Sequence, residues 1–327
     1  MQLKEIYSPI RNELTEIERL IRFNIENSPT ASIVKIGGYL LRSGGKRLRP
    51  ALVTLSARAT LEGDVSASSK QVLNIASAVE LIHLASLLHD DVIDHSKIRH
   101  NKPTVNAKWG EDVAIVLGDY LYSIGFDLIS SCRNPDVLDC ISRSTRMMCE
   151  GELTQVCERD NLDILKERYI TIVKNKTANL FAACCQAGVL AVGRHTALGM
   201  LKEYGLNFGI AFQIVDDSLD LIGEIKDLGK VPGADFKMGE LTMPILNLLS
   251  ETEDKRLVRK LIAQKDSKRA FKDIRKMFIN SGALTKTIDD VHLYAEKAKK
   301  SLRGLADSSF KHSLCALADF AVDRIKA

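Results

Sequence analysis

The sequence predicts an all-α protein. Apolar residues recur at helical spacing along most of its 327 residues, and no run alternates as a strand would. Glycine, proline and asparagine gather at the joints between these periodic segments, where helices usually end. Hydrophobic residues make up 45% of the chain against 7 prolines, which suits a sizeable helical core. We expect one domain over residues 1–327, a bundle of long helices around a central cavity.

The helical segments follow one another between these joints. The chain begins with a charged amphipathic helix, MQLKEIYSPIRNELTEIERL, which lacks the apolar core of a signal peptide. The longer segments that follow, many of them long enough to cross a domain, are 67–94, 111–131, 136–158, 163–192 and 196–224. No stretch of about 20 uninterrupted apolar residues occurs, so we expect no transmembrane helix.

Charge and cysteine content restrict the partners and the compartment. A formal charge of +4 is mild and gives no reason to expect nucleic acid as a partner. The 7 cysteines are odd in number and lack CxxC spacing. This pattern predicts reduced thiols, mostly at core positions, in a cytoplasmic protein.

One carboxylate pattern occurs twice, each time after a long apolar run: DDVID at 90–94 and DDSLD at 216–220. An aspartate among so many apolar neighbours is costly to desolvate unless a cation compensates. Aspartates four residues apart share a helix face, and two such faces opposed across a cavity would hold magnesium. Magnesium takes oxygen ligands and completes its shell with water and substrate phosphates. A single copy is typical of a solvated helix end, but two copies predict a metal–diphosphate enzyme.

A diphosphate site also needs cations, and basic residues recur near both motifs. Upstream, the glycines at 44–45 would let the backbone approach an anion, and Lys46 and Arg49 follow them. The turn IRHNKPT at 98–104 is rich in phosphate donors. Further polar candidates around the second motif are Lys176, Thr177, Gln213, Lys230 and Asp235.

Taken in this order along the chain, these acidic and basic motifs resemble the trans-isoprenyl diphosphate synthase (polyprenyl synthetase) family, in particular its long-chain octaprenyl and heptaprenyl types. The residues that carry the resemblance are GGKRLRP at 44–50, ELIHLASLLHDDVID at 80–94, GDYL at 118–121, Lys176-Thr177, FQIVDDSLDLIG at 212–223 and GK…GAD at 229–235. It covers roughly residues 30–250 and implies the all-α isoprenoid synthase fold.

The resemblance implies a role for each matched residue. The main magnesium ligands would be Asp90, Asp94 and Asp216, with Asp91, Asp217 and Asp220 coordinating directly or supporting them. The allylic diphosphate would be bound by Arg99, Lys176, Thr177, Gln213 and Lys230. Isopentenyl diphosphate would be bound by Lys46, Arg49, His83 and His100. Catalysis would rest on Asp90, Asp91, Asp94, Lys176, Asp216 and Asp217.

The implied reaction is a prenyl transfer. Magnesium would act as a Lewis acid on the leaving diphosphate, and the double bond of isopentenyl diphosphate would attack the allylic carbocation. Loss of a proton would leave a new trans double bond, and positioning and electrostatics would supply most of the acceleration. The family also implies a homodimer, with the apolar segment 111–131 at the interface, and some long-chain members need a small second subunit.

Two positions depart from the family pattern. His100 stands where a second arginine is usual, and Asn101 stands where glycine is usual. A histidine is only partly charged near neutral pH, which weakens the expected grip on isopentenyl diphosphate. Glu240 occupies the place of a loop lysine, and Lys237 is the residue expected to substitute for that lysine from a nearby turn.

Product length is predicted from the residues before the first motif. Ala85 and Ser86 lie one turn deeper along the same helix, where short-chain members carry bulky aromatics. Small residues leave the tunnel open, so we expect a product of about C30 to C40.

Other interpretations fit parts of the pattern. The second motif alone suits a class I terpene cyclase, and ELIH at 80–83 is half of a di-iron carboxylate pattern without its second copy. A short-chain synthase of about C15 to C20, or a non-catalytic regulatory member, would keep the family but change the product or the activity. The stretch 254–276 holds ten Lys/Arg against three Asp, which is typical of a solvated helix face and would also suit transient contact with an anionic membrane during product release.

Overall fold

The computed structural model describes residues 2–42, 44–61, 70–223 and 232–326. Their secondary structure is helical except for one short hairpin, which confirms the all-α prediction. The α-helices are α1 (Leu3–Ile6), α2 (Arg11–Glu26), α3 (Ala31–Leu41), α4 (Leu48–Ala59), α5 (Lys70–Ile93), α6 (Val105–Trp109), α7 (Glu111–Ser131), α8 (Pro135–Cys157), α9 (Lys166–Val173), α10 (Asn179–Ala191), α11 (Leu198–Ile222), α12 (Ala234–Met238), α13 (Met243–Glu251), α14 (Lys255–Ile262), α15 (Lys268–Asn280), α16 (Ala283–Ser301) and α17 (Ser309–Lys326). The remaining elements are strands β1 (Ile98–Arg99) and β2 (Lys102–Pro103), 3₁₀ turns at Ser8–Ile10, His195–Ala197 and Leu302–Gly304, and a π turn at Lys174–Ala178.

The described residues form two compact units. The first comprises Met1–Arg143, Ala182–Lys202 and Leu302–Leu317, and the second comprises Ser144–Phe181, Glu203–Ser301 and Ala318–Ala327. The single domain expected over residues 1–327 stays a prediction.

The core of the first unit is organised around α5. This helix packs against α2, α4 and α7, and residues such as Ile75, Leu81 and Ala85 are fully buried. A helix that is apolar on every side must be covered on every side, which places α5 at the centre of its unit. By contrast, α2 buries a stripe at four-residue spacing, Ile17, Ile21 and Ile25, and exposes charged residues between. The first acidic motif therefore ends a rigid central helix.

The core of the second unit contains stacked aromatic rings. Tyr204, Phe208 and Phe212 follow at four-residue spacing along α11, and Phe181 packs edge-on against Phe208 with ring centroids 5.4 Å apart. Edge-to-face aromatic pairs stabilise cores beyond simple burial. The cluster fixes the turns of α11 that precede the second acidic motif.

The predicted segments match the helices closely, with one interruption. Segment 111–131 coincides with α7, whereas α5 begins at Lys70 because 67–69 lie outside the described residues. The run expected over 163–192 begins at Lys166 and is broken by the π turn. Hydrophobic periodicity does not predict a π turn, because the one-residue widening of the helix depends on packing.

Two helices are long and apolar enough to cross a membrane by length and composition. The most apolar window of α5 is 72% buried, and that of α7 is 33% buried. Core helices of soluble proteins have the same composition. The expectation of no transmembrane segment stays a prediction.

The seven cysteines are all free thiols, as expected. Only Cys184 and Cys185 are buried, whereas Cys149 and Cys157 are exposed. The expectation that most cysteines fill the core was therefore wrong, because cysteine is small enough to be tolerated on either face of a helix.

Candidate active site

The first acidic motif closes α5. Asp90 and Asp91 lie in its last turn, and Asp94 follows at the end, just before His95 turns into the left-handed region with φ 50°. Asp90 and Asp94 are half-buried, and Asp91 is buried. The carboxyl end of a helix carries partial negative charge, so three carboxylates there are unfavourable unless cations arrive.

The middle aspartate of this motif has its own cation. Arg99 donates from Nε and Nη2 to Asp91 Oδ1 at 2.9 and 2.8 Å, and Asn106 donates to the Asp91 carbonyl at 3.0 Å. Asp91 is thus held inside the unit, while Asp90 and Asp94 share a different face of the helix. Arg99 is predicted to bind the allylic diphosphate. In the structure it also holds the first acidic motif in place.

A two-residue hairpin carries Arg99 back to the helix end. Ile98 pairs with Pro103 and Arg99 pairs with Lys102. The turn residues His100 and Asn101 have φ values of 51° and 59°. Two positive φ angles define the turn type in which asparagine is favoured beside glycine. Asn101 therefore satisfies the backbone demand that glycine meets in the family pattern.

Cations surround His100. Its pKa is lowered by burial and then by the positive charges of Arg99, Lys46, Arg47 and Lys102. His100 is therefore neutral near neutral pH, as the departure from arginine suggested, but the region already holds the positive potential that an anion requires. The pKa of His83 is lowered well below its usual range for the same two reasons, burial first and then Arg49.

The three basic residues around the start of α4, Lys46, Arg47 and Arg49, have different surroundings. Arg47 adopts the left-handed conformation, with φ 51°, caps α4 and bridges two carboxylates, Glu18 and Glu80. Its Nη1 lies 2.9 Å from Oε1 of the buried Glu80. Lys46 stays exposed and Arg49 is half-buried in the first helical turn. Arg47 thus stabilises the segment that also carries Lys46 and Arg49, the two residues predicted to bind isopentenyl diphosphate.

A groove of the first unit joins an apolar wall to these polar groups. Its lining includes Leu84, Leu87, Leu88, Asp91, Arg99 and His100. The predicted chain-length residues lie on the same helix: Ala85 is fully buried, and Ser86 is half-buried and donates its hydroxyl to the His83 carbonyl at 2.8 Å.

The GDYL sequence at 118–121 lets α7 approach α5. A Cβ on Gly118 would collide with the imidazole of His89, the residue before Asp90. His89 Nε2 lies 3.2 Å from the Ile115 carbonyl oxygen and 3.5 Å from Asp119. Glycine is required here for close packing, so this motif supports the first acidic motif from behind.

The second acidic motif lies on α11, and its middle aspartate has neutral partners. Tyr169 donates its hydroxyl to Asp217 Oδ2 at 2.5 Å, and Gln213 donates to Oδ1 at 2.7 Å. Thr177 in turn donates its hydroxyl to the side-chain Oε1 of Gln213 at 2.9 Å. Two residues predicted to bind the allylic diphosphate, Thr177 and Gln213, are therefore joined in one chain of hydrogen bonds to Asp217.

This environment makes Asp217 unusually basic. Burial raises the pKa of its carboxyl to about 7, against the opposing effect of the hydrogen bonds from Tyr169 and Gln213. Asp216 and Glu240 raise it further through their negative charges. A buried carboxyl without a cation of its own readily keeps a proton.

The motif's first aspartate, Asp216, is instead paired with an arginine. Arg324 of α17 donates from Nη2 to Asp216 Oδ1 at 2.6 Å, and its guanidinium lies 4.7 Å from the Phe212 ring centroid. The Asp216 side chain is 39% exposed, so a ligand can reach the carboxylate despite this pairing. Pairing and stacking together fix the guanidinium plane.

The last aspartate, Asp220, anchors the loop that follows. Its carbonyl accepts from Gly233 N at 2.8 Å, and its Oδ2 accepts from Asp235 N at 3.1 Å. Asp220 is 3% exposed. Lys230, predicted to bind the allylic diphosphate, lies outside the described residues.

Lys176 and Thr177 lie on the π turn between α9 and α10. A Cβ on Gly151 would collide with the backbone of Lys176, and one on Gly209 would lie 2.7 Å from Ala178 Cα. Lys176 forms an ion pair with Glu152. Single π turns often occur at functional sites because they redirect side chains from a helix, and this one is seated between two glycines.

Glu240, which stands where the family pattern has a loop lysine, forms an ion pair of its own. Arg159 donates to its Oε1 from Nε at 3.0 Å and from Nη2 at 2.8 Å, and Gln155 also contacts it. Glu240 is nearly buried, whereas Lys237 is exposed on α12. The pair fastens the loop after α12 to the end of α8, so Glu240 has a structural partner that the sequence did not indicate.

Three residues that the sequence did not single out contact predicted site residues: Tyr169, Glu152 and Arg324. Tyr169 precedes Lys176 by two helical turns, a spacing that puts both residues on the same side of a helix. Arg324 is 108 residues from Asp216 and had no sequence signal. Within the described part of the chain, no three His, Cys, Asp or Glu side chains form a metal-sized cluster.

Comparison with known proteins assigns the family. Residues 30–278 match the model of the polyprenyl synthetase family. The octaprenyl diphosphate synthase of Escherichia coli (strain K12) is 34% identical over 91% of this chain and 92% of its own length. A short chain isoprenyl diphosphate synthase of Methanothermobacter thermautotrophicus is 32% identical over 98% of this chain and 99% of its own.

A solved structure extends the likeness to the fold. The polyprenyl synthase from Caulobacter crescentus CB15, complexed with calcium and isoprenyl diphosphate, superposes with a TM-score of 0.92 at 34% identity, over 98% of this chain and 97% of that one. This confirms the isoprenoid synthase fold expected from the sequence. The chain belongs to the polyprenyl synthetase family and is a prenyl diphosphate synthase.

Proposed function

We propose that this protein joins isopentenyl diphosphate head-to-tail to an allylic diphosphate in a magnesium-dependent reaction, giving a trans-polyprenyl diphosphate of about C30 to C40. The observation that carries the proposal is the pair of acidic motifs. The first ends α5 and the second lies in the last turns of α11, so both place carboxylates toward the negative end of a buried helix. Such an arrangement is favourable only when cations are bound there.

The donor atoms fit magnesium. Asp90, Asp94 and Asp216 are the proposed ligands, and Asp91, Asp217 and Asp220 hold the motifs in place through partners of their own. Oxygen ligands, a small number of carboxylates and completion by substrate phosphates are what magnesium requires. When bound, it would supply Lewis-acid assistance to the leaving diphosphate.

The chain's own residues position the substrates. Arg99, Lys176, Thr177, Gln213 and Lys230 are proposed to bind the allylic diphosphate, and Lys46, Arg49, His83 and His100 to bind isopentenyl diphosphate. Fixed cations and amides stabilise the departing diphosphate without reorganising during the reaction. The double bond of isopentenyl diphosphate then attacks the allylic carbon, and loss of one proton completes the trans product.

The relatives support the chemistry and span its product range. One is named for an octaprenyl product and another for short chains, so the proposed length rests on Ala85 and Ser86. The Caulobacter protein binds calcium, a divalent ion with the same preference for oxygen ligands, together with an isoprenyl diphosphate.

We further propose a cytoplasmic, single-domain protein that acts as a homodimer. The surface of α7 includes Ile115 and Val116, 42% and 66% exposed, on an apolar helix suited to burial against a second copy. A small additional subunit would be detected as activity that appears only when a second chain is supplied.

The deciding experiment is incubation with labelled isopentenyl diphosphate, magnesium and farnesyl or geranylgeranyl diphosphate, followed by product sizing. Elongation to about C30 to C40 would support the whole proposal. Products that stop at about C15 to C20 would keep the reaction and overturn the length. Incorporation that fails with every primer, with and without a second subunit, would contradict the proposed function and favour a regulatory member.

Product length offers a sharper test at two neighbouring positions. Ser86→Phe should shorten the product, because Ser86 is half-buried and its ring would enter the proposed tunnel. Ala85 is fully buried, so Ala85→Phe should also lower the free energy of unfolding by about 1–3 kcal/mol through overpacking. Product chromatography and urea unfolding measure the two effects, with Ser142→Phe on the exposed surface of α8 as the control. An unchanged product from a folded Ser86→Phe variant would refute the tunnel assignment.

A further inference from the structure

The second unit carries a basic surface that the catalytic chemistry does not use. On α15, Lys268, Lys272 and Lys276 follow at four-residue spacing and are exposed. The buried residues of the same helix, Ala270, Ile274 and Phe278, are offset from them by two positions. Two positions correspond to about 200° on a helix, so the lysines occupy the face opposite the core. We call Lys268, Lys272, Lys276 and the exposed Ile279 the basic ridge.

Internal ion pairs do not neutralise this ridge. The side chains of its three lysines form no hydrogen bond or ion pair with any residue in the described ranges, unlike Arg259 and Lys265, which pair with Asp163 and Asp160. The preceding helix α14 packs against α15 and adds three exposed cations of the same kind, Lys255, Arg256 and Lys260. Six cations that have no side-chain partner among the described residues therefore lie on two adjacent helices.

Exposed apolar side chains accompany the charges. Ile279 is 45% exposed and lies three and seven residues from Lys276 and Lys272, on the same face. Leu257 of α14 is 42% exposed and lies three residues from Lys260. Lysines that flank an apolar side chain are typical of helices that lie on a lipid surface. There the apolar side chain inserts below the headgroups, and the lysines contact anionic phosphates.

From this arrangement of exposed lysines and apolar side chains we infer that the basic ridge binds the surface of an anionic lipid bilayer. Charge complementarity identifies the partner: the ridge offers compact ammonium groups, and anionic headgroups supply the counter-charge. A nucleic acid is a poorer fit, because neither α14 nor α15 presents an exposed aromatic side chain on which bases could stack. The binding would be peripheral and reversible, and it would bring a water-insoluble prenyl product to the phase that dissolves it.

The test is vesicle flotation of the purified full chain without substrates. The protein should float with vesicles containing about 30% phosphatidylglycerol and not with pure phosphatidylcholine. Each lysine near an anionic surface contributes about a fivefold change in partitioning, so the K268E/K272E/K276E variant should lose binding by more than about 100-fold. The matched control K35E/K202E/R303E changes the same charge at exposed sites of the first unit and should still float.

Two further measurements separate folding and charge from the proposed contact. The lysines are exposed, and glutamate near the start of α15 is favourable, so the triple variant should keep its melting temperature and its rate of product formation in detergent. Ile279→Ser leaves the charge unchanged and should weaken flotation several-fold. Equal flotation of the wild type and the triple variant would overturn the inference, as would failure of the wild type to float. Ridge-dependent binding to an oligonucleotide without flotation would also overturn it, in favour of a nucleic acid partner.

Discussion

The two acidic motifs share one sequence pattern but differ in how their middle aspartate is held. In the first unit Asp91 is paired with Arg99, whereas in the second unit Asp217 accepts hydrogen bonds from the neutral groups of Tyr169 and Gln213. An arginine keeps a carboxylate ionised, whereas a buried carboxyl with neutral donors retains a proton more readily. The arginine of the second motif, Arg324, lies on the first aspartate instead. Equal patterns thus give sites of unequal charge, and the pattern alone does not define the electrostatics of a metal site.

The largest expected effect is the loss of kcat when a metal ligand is removed, and it should be the same for the two motifs. Asp90→Ala and Asp216→Ala each remove a proposed metal ligand, so kcat should fall about a thousandfold in both. Steady-state rates at saturating substrate measure this, with Asp289→Ala at an exposed position of α16 as the control. Activity within about threefold of wild type in either variant would remove that aspartate from the site.

The middle aspartates should differ in their contribution to stability. Asp91→Asn leaves the Arg99 guanidinium, 35% exposed, without its charged partner. The free energy of unfolding at neutral pH should fall by about 1–3 kcal/mol, toward the lower value because Arg99 is partly solvated. Asp217→Asn should cost less, because Asp217 carries only part of a charge at that pH. Urea unfolding of both variants, with the exposed Asp289→Asn as control, would contradict the comparison if their costs were equal.

The same difference predicts a pH signature for Asp217. Its pKa is about 7 in the folded protein against 3.8 as the ordinary value, so the folded state binds the extra proton between these limits. Stability from this group is therefore complete below about pH 4 and is lost as pH rises through about 7. In metal-free buffer, the unfolding free energy of wild type relative to Asp217→Asn should fall by roughly 1–3 kcal/mol from about pH 5 to about pH 8. A flat difference would show that Asp217 is ionised throughout.

The smallest expected effect concerns His100 in the first unit. Burial and nearby cations lower its pKa, so it is neutral near neutral pH. His100→Arg would add a fixed charge and should lower the KM for isopentenyl diphosphate about fivefold, with kcat unchanged. The wild-type KM should fall as pH drops toward about 6, because the substrate anion favours protonated His100, whereas the variant should lack this dependence. His195→Arg at an exposed site is the control, and an unchanged KM would separate His100 from the substrate.

Local spacing predicted much of the fold. The bounds of α7 match the expected segment, because helical periodicity and chain breakers are properties of neighbouring residues. The π turn at Lys174–Ala178 was missed, since the residues that pack against it, Gly151 and Gly209, come from other helices. The motif positions were likewise predictable, but the Arg159 partner of Glu240 was not, because it comes from a separate helix.

The sequence by itself determined the helical class, the family, and the four-residue spacing that places aspartates on one face of each helix. These follow from interactions between residues close along the chain. Only the tertiary structure decided which groups meet each carboxylate: Arg99 returning through a hairpin to Asp91, Tyr169 reaching Asp217, and Arg324 reaching Asp216 across 108 residues. Charge and protonation depend on burial and on partners brought near by packing, and neither is encoded in the spacing of a motif.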